Sequence, residues 1–241
     1  LQHKGNIRLY PEYVFNMLKN GDRLNLGFSN LVVKVKKKNN DEAVCKVISS
    51  GKIENNKGVH LENRKINLKF LTKKDLQAIE IGRKLNIKYY ALSFTNSTSD
   101  IMKFNSLIKK ETKIFKIETL SAIKNFKKML KLGDNFLIDR GDLSKDVKVE
   151  NIPFVQRNLF KTKSKFKNKK IYVATNLLES MLIHNYPTRG EANDIFSSLE
   201  MGASGLVLAA ETAIGKHPID AVKFLKKMIK TFQKKDKLLS F

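Results

Sequence analysis

From about residue 67 onward, short β-branched and aromatic runs alternate with amphipathic helical stretches, and the alternation repeats five times. Residues 89–94, 113–118, 135–138, 171–174 and 205–208 read as the strands. Each precedes a helical pattern, over residues 98–109, 121–130, 152–160, 189–201 and 218–232. A further helix is predicted over 72–84, with Thr72 as N-cap and Asp75 completing a capping box. Strands buried on both faces read as continuous apolar runs, so the pattern predicts a parallel α/β sheet. The last helix carries Ile219, Val222, Leu225, Ile229 and Phe232 at helical spacing, which predicts its core face.

Parallel α/β proteins place their chemistry at the carboxyl ends of the strands. Here those ends are polar: Ser93, Lys116 with Glu118, Arg140 with Asp142, Thr175, and Glu211. An open doubly wound sheet concentrates such groups at one crevice, whereas a barrel collects them from every strand. The spread over all the strands, without a glycine-rich dinucleotide turn, points to part of a (β/α)8 barrel of the TIM type. Two adjacent ends are expected to hold Lys116, Glu118, Arg140 and Asp142 around one point. Carboxylates bind a hard divalent cation, and an ammonium neutralises phosphoryl charge, so this set suits a metal beside a phosphorylated substrate.

The first sixty residues differ. Residues 23–35 and 42–48 are rich in strand formers, and the polar segment 36–41 between them reads as a hairpin turn. A small β unit of this size is too small to be very stable alone.

Composition narrows the partners. The net charge of +24 rests almost wholly on lysine, with only seven arginines, and the lysines are scattered. Base readout and single-strand binding rely on arginine forks and stacked aromatics, so a nucleic-acid role is disfavoured. No apolar run approaches a membrane span. The single Cys45 excludes an intrachain disulfide and fits a reducing, cytoplasmic setting. The four histidines, at 3, 60, 184 and 217, lack the spacing of a transition-metal site.

Motif by motif, the sequence resembles pyruvate kinase. Lys57-Gly-Val-His-Leu61, Leu71-Thr-Lys-Lys-Asp75 and Ala91-Leu-Ser-Phe94 follow in that family's order. So do Lys116-Ile-Glu118, Arg140-Gly-Asp-Leu143 and Ala174-Thr-Asn-Leu-Leu-Glu-Ser-Met181. Pro187-Thr-Arg-Gly-Glu191, Glu211-Thr-Ala213 and Gly215-Lys-His-Pro218 complete the series, which covers about residues 57–222. The resemblance implies that residues 1–60 are the end of the third barrel strand plus a shortened β lid domain. Residues 61–241 then form the barrel domain, with its fourth to eighth β-α units.

It also implies transfer of a phosphoryl group from phosphoenolpyruvate to ADP, giving pyruvate and ATP, as in glycolysis. Lys116 would stabilise the transferring group, with Arg140 and Ser93 beside it. Glu118 and Asp142 would hold Mg2+ or Mn2+. The backbone amides of Gly141 and Asp142, with the Thr175 hydroxyl, would bind the substrate carboxylate. The family also uses K+, whose ligands lie upstream of the matching region. A homo-oligomer through a contact near residues 179–191 is a further expectation.

Departures matter too. Phe115 stands for a small residue, Thr119 for asparagine, Asp139 for alanine, Ser144 for glycine and Asn176 for glutamine. Gly27-Phe28-Ser29 stands where the family has Asp-Asp-Gly, and Leu1-Gln-His-Lys-Gly-Asn-Ile-Arg8 resembles the end of a third strand. Five strands do not close an eight-stranded barrel. The expectation is therefore a piece of a longer enzyme, the alternative being a catalytically impaired relative that binds a metabolite or partner.

Overall fold

The computed structural model describes residues 7–27, 31–55, 57–64, 66, 68 and 70–235. Most of the opening segment, and Phe28-Ser29, lie outside them. Its contacts divide the chain into two compact units, one ending at Leu85 and the other starting at Asn86.

The first unit comprises α1 (Tyr13–Met17), β1 (Arg23–Leu26), β2 (Leu31–Lys38), β3 (Ala43–Ser49), β4 (Val59–Leu61) and α2 (Lys73–Lys84). Its strands form an antiparallel sheet in the order β3-β2-β1-β4. The 23–35 run expected as one strand is in fact two, β1 and β2, paired antiparallel from Arg23↔Lys34 to Leu26↔Leu31. Gly27, with φ of +76°, starts the reversal in a conformation that side chains resist. The lysines at 36–38 are strand rather than turn, because past an irregularity between Val35 and Lys37 the ladder resumes, Lys37 pairing with Val44 and Lys38 with Ala43. The turn is tighter, and Asn39 Oδ1 closes it by accepting from Asp41 N and Glu42 N. Leu18, Leu24, Leu31, Val33 and Val35 form the core. Beside it the buried Asp22 accepts Arg64 Nε at 2.8 Å and Nη2 at 2.6 Å. The predicted capping box of α2 is present, Thr72 and Asp75 exchanging both bonds.

The second unit holds the β-α alternation: β5 (Tyr89–Leu92), α3 (Thr98–Leu107), β6 (Thr112–Ile117), α4 (Leu120–Met129) and β7 (Asn135–Asp139). It continues through α5 (Arg140–Leu143), α6 (Ile152–Lys163), β8 (Lys170–Ala174), α7 (Arg189–Glu200), β9 (Gly205–Val207), α8 (Ala210–Ala213) and α9 (Pro218–Gln233). All the pairings are parallel, in the order β5-β6-β7-β8-β9. Every carboxyl end therefore points the same way. Among the described residues the sheet is open, with β5 and β9 at its edges.

Aromatic packing joins this sheet to its helices. Phe115 of β6 and Phe136 of β7 are cross-strand neighbours with ring centroids 5.8 Å apart. Phe104 of α3 meets the first of them edge-on at 6.1 Å, and Phe126 of α4 meets the second at 5.3 Å. All four are buried, and truncating any one to alanine removes about 3–5 kcal/mol. The apolar stripe of α9 is rotated from the expected one: Ile219 and Val222 are 68% and 50% exposed. Leu225 is buried as expected, with Ala221 beside it, and both join Leu177, Leu178, Met181 and Ile195, while Ile229 packs against the same cluster. Periodicity located the helix but placed its inner edge one residue off.

Candidate active site

Alternation along β6 sends Phe115 and Ile117 into the core, which leaves Lys116 on the other face. Glu118 follows immediately after the strand and is only 1% exposed. Its Oε2 accepts the backbone N–H of Phe94, a residue held at φ of +51° just past β5. Its Oε1 lies 2.6 Å from Lys116 Nζ, a close charge-assisted contact.

Lys116 Nζ is shared. Asp139, the last residue of β7, places Oδ2 3.0 Å from it and is itself only 8% exposed. Burial works against the charged ammonium, but the two carboxylates outweigh it and raise the Lys116 pKa above its ordinary value. Burial is also the largest influence on Glu118. It pushes that carboxyl up, Lys116 and the Phe94 N–H oppose the shift without cancelling it, and Asp139 adds to it.

Asp139 also starts α5, its Oδ1 accepting Asp142 N at 3.5 Å. Asp142 lies within this helix and does not cap it. It is the third residue of the helix, and its Oδ1 pairs with Lys145 at 2.8 Å. Carboxylate oxygens of Glu118, Asp139 and Asp142 all lie within 4.8 Å of one another. Three hard oxygen donors at that spacing suit a magnesium- or manganese-like cation rather than a soft metal.

The next strand end adds Thr175, whose backbone is left-handed at φ of +69°, followed by Asn176 at +53°. A β-branched residue adopts that conformation only where its surroundings impose it. Its hydroxyl accepts Gly141 N at 2.8 Å and lies 3.3 Å from Asp139 Oδ1 and 2.6 Å from Ala174 O. Arg140 Nε and Nη2 both donate to Thr175 O, at 3.1 and 2.6 Å, while Nη1 pairs with Asp194 of α7 at 2.6 Å.

The expected convergence of four charged side chains is corrected accordingly. Lys116, Glu118 and Asp142 come together, but Arg140 faces β8 and α7. Adjacent residues at a strand end point to opposite sides, so when Asp139 turns toward Lys116, Arg140 turns away. Ser93 is exposed past β5 and makes no side-chain hydrogen bond to Lys116. Glu211 is buried and holds the loop after β8, accepting Leu178 N at 3.1 Å and Ala209 N at 2.8 Å. Sequence reasoning missed Asp139 and Asp194 as site residues. Only the carboxylate directly before Arg140 offered a signal for the first.

Fold and site together define a parallel α/β protein with a buried lysine–carboxylate cluster at its strand ends. The family model for the pyruvate kinase barrel domain matches residues 2–222. Pyruvate kinase of Thermotoga maritima is 35% identical over 222 residues, covering 90% of this chain and 47% of its own length. That of Thermococcus litoralis is 30% identical, with 89% and 46% covered, and one from Staphylococcus epidermidis is 34% identical, with 83% and 35% covered. The chain belongs to the pyruvate kinase family. It spans about half, or less, of the length of these relatives. Among the described residues, no helix is long and apolar enough to cross a membrane.

Proposed function

We propose that this chain carries the phosphoryl-transfer site of a pyruvate kinase-type enzyme, moving a phosphoryl group between phosphoenolpyruvate and ADP. The observation that carries the reading is the Lys116 ammonium held at 2.6 Å from Glu118 and 3.0 Å from Asp139, beside Asp142. In this reading the β-α units are the fourth to eighth of a (β/α)8 barrel, and residues 1–60 are the end of its third strand with a small lid. The setting is the cytoplasm, and K+ is a further requirement of the whole enzyme.

Phosphoryl transfer asks the protein chiefly for positioning and charge stabilisation. Lys116, kept charged by its carboxylates, faces the transferring group. Glu118 and Asp142 would hold a divalent cation, which would supply neutralisation of negative charge developing on the substrate. The substrate carboxylate replaces the Thr175 hydroxyl as acceptor for Gly141 N. The hydroxyl then turns its proton to that carboxylate, so no buried donor is left unpaired. The bond between phosphorus and the enol oxygen breaks as one to the terminal oxygen of ADP forms. The enolate left behind gains a proton at carbon and becomes pyruvate. Arg140 keeps the loop that bears Thr175 in place, and Ser93 lies at the rim.

Release of pyruvate from phosphoenolpyruvate plus ADP, followed with and without Mg2+, tests this reading. Cation-dependent pyruvate formation is the expected result. A folded chain that forms none with all three present contradicts it.

A further inference from the structure

Asp139 carries more charge than its structural duties require. As an N-cap, an asparagine or serine would serve equally well without burying a charge. The cap bond it makes is long, at 3.5 Å. As a counterion it is redundant, since Lys116 already pairs with Glu118 at 2.6 Å. One partly buried ammonium thus faces two buried carboxylates, which leaves the trio with one negative charge in excess. Burying an uncompensated carboxylate is costly, and a cation is what offsets it. Glu118 Oε1 is buried with Lys116 as its close partner, and a carboxylate oxygen so placed still has a lone pair to offer a cation.

We propose that Asp139 acts with Glu118 and Asp142 as a third carboxylate of the divalent-cation site and tightens the hold of the substrate-free protein on the cation. This rests on the phosphoryl-transfer reading and goes beyond it. Magnesium is commonly held by one or two carboxylates, and the phosphates of the substrate complete its shell. A third carboxylate from the protein transfers part of that task from substrate to chain. Its oxygens lie within 4.8 Å of those of both partners. Lys116 loses little by the change, because Glu118 remains beside it.

The test is calorimetric titration of the substrate-free protein with Mn2+, in wild type, Asp139→Asn, Asp139→Ala and Glu118→Gln. One Mn2+ per chain is expected, bound roughly tenfold or more weakly by either Asp139 variant, since even residues that only orient ligands carry effects of that size. Thermal melts supply the control for folding. Without metal, Asp139→Asn should melt no lower than wild type, because it removes the excess negative charge while Glu118 still pairs with Lys116; on adding Mn2+, wild type should gain more. Binding by Asp139→Asn within twofold of wild type overturns the proposal, and so does a wild type that takes up no Mn2+ without substrate. If Glu118→Gln alone loses Mn2+, the third carboxylate fails and the phosphoryl-transfer site stands. If Glu118→Gln binds like wild type, the cation sits elsewhere and both readings fail.

Discussion

Arg140 grips the carbonyl oxygen of Thr175 with two of its nitrogens, at 2.6 and 3.1 Å, and Asp194 fixes the third at 2.6 Å. Thr175 is held in a left-handed conformation that its branched side chain disfavours. A planar fork on one carbonyl opposes that preference in a way a point charge does not.

Arg140→Ala should therefore lower stability by about 2 kcal/mol, the range for hydrogen bonds to a charged group. It should also lower turnover far more than the lost stability accounts for, because small misplacements of positioned groups cost about a hundredfold. Urea unfolding beside initial rates of pyruvate formation separates the two effects. Equal effects on both would mean that Arg140 serves the fold alone.

Gly133→Ala tests the packing beneath Lys116. A Cβ there would lie 2.8 Å from ring carbons of Phe115 and 2.9 Å from the ring of Phe136. Both rings are buried, with little room to retreat, so a loss of about 1–3 kcal/mol is expected. It should appear as a lower urea midpoint with an unchanged slope.

Gly141→Ala should behave in the opposite way. The added Cβ would stand 3.5 Å from Thr175 Oγ1 and 3.6 Å from Asp139 Oδ1, which is ordinary contact, so the fold should tolerate it. It would, however, occupy the approach to the Gly141 amide. The KM for phosphoenolpyruvate should rise roughly tenfold, as expected for about 1.4 kcal/mol of lost binding, while the melting temperature stays close to wild type.

Acid sensitivity should trace in part to Glu191. Burial raises its carboxyl, but bonds from Ser180 and Thr188 outweigh this and hold the pKa below the ordinary value of 4.5. A group whose pKa is lower folded than unfolded binds fewer protons when folded. Its contribution is complete above pH 4.5 and is lost as pH falls through the lowered value. Glu191→Gln should leave a shallower decline of stability over that acid window, measured as the difference between melts at neutral and acid pH. An unchanged decline would assign the sensitivity to other groups.

The strands and helices of the second unit were legible because each is a short apolar run bounded by turn residues, and their order carried the family motifs. Helix ends were legible where capping chemistry is local, as at Thr72 with Asp75. The division of residues 23–35 into two strands was not, because strand-forming residues continue on both sides of the reversal and only a change of phase, from Leu24 and Leu26 to Leu31 and Val33, marks it. Lys116, Glu118 and Asp142 could be brought together from strand ends alone. Arg140 could not be placed, since its direction depends on which of two adjacent residues faces Lys116. Nor could Asp139 be read as central: besides its local bond to Asp142, its contacts run to Lys116 and Thr175 at the ends of the two neighbouring strands. Such a meeting is made by the sheet and leaves no local signal in the chain.

Replacing Lys116 by methionine tests the central claim most directly. The side chain stays unbranched, one atom shorter, and loses its charge, and the rate of pyruvate formation from phosphoenolpyruvate and ADP is compared with wild type under saturating Mg2+. The account predicts that this rate falls by a factor on the order of a thousand, since a charge aimed at the transferring group contributes that much, in a protein that still unfolds cooperatively. A folded Lys116→Met protein that forms pyruvate at the wild-type rate would contradict it.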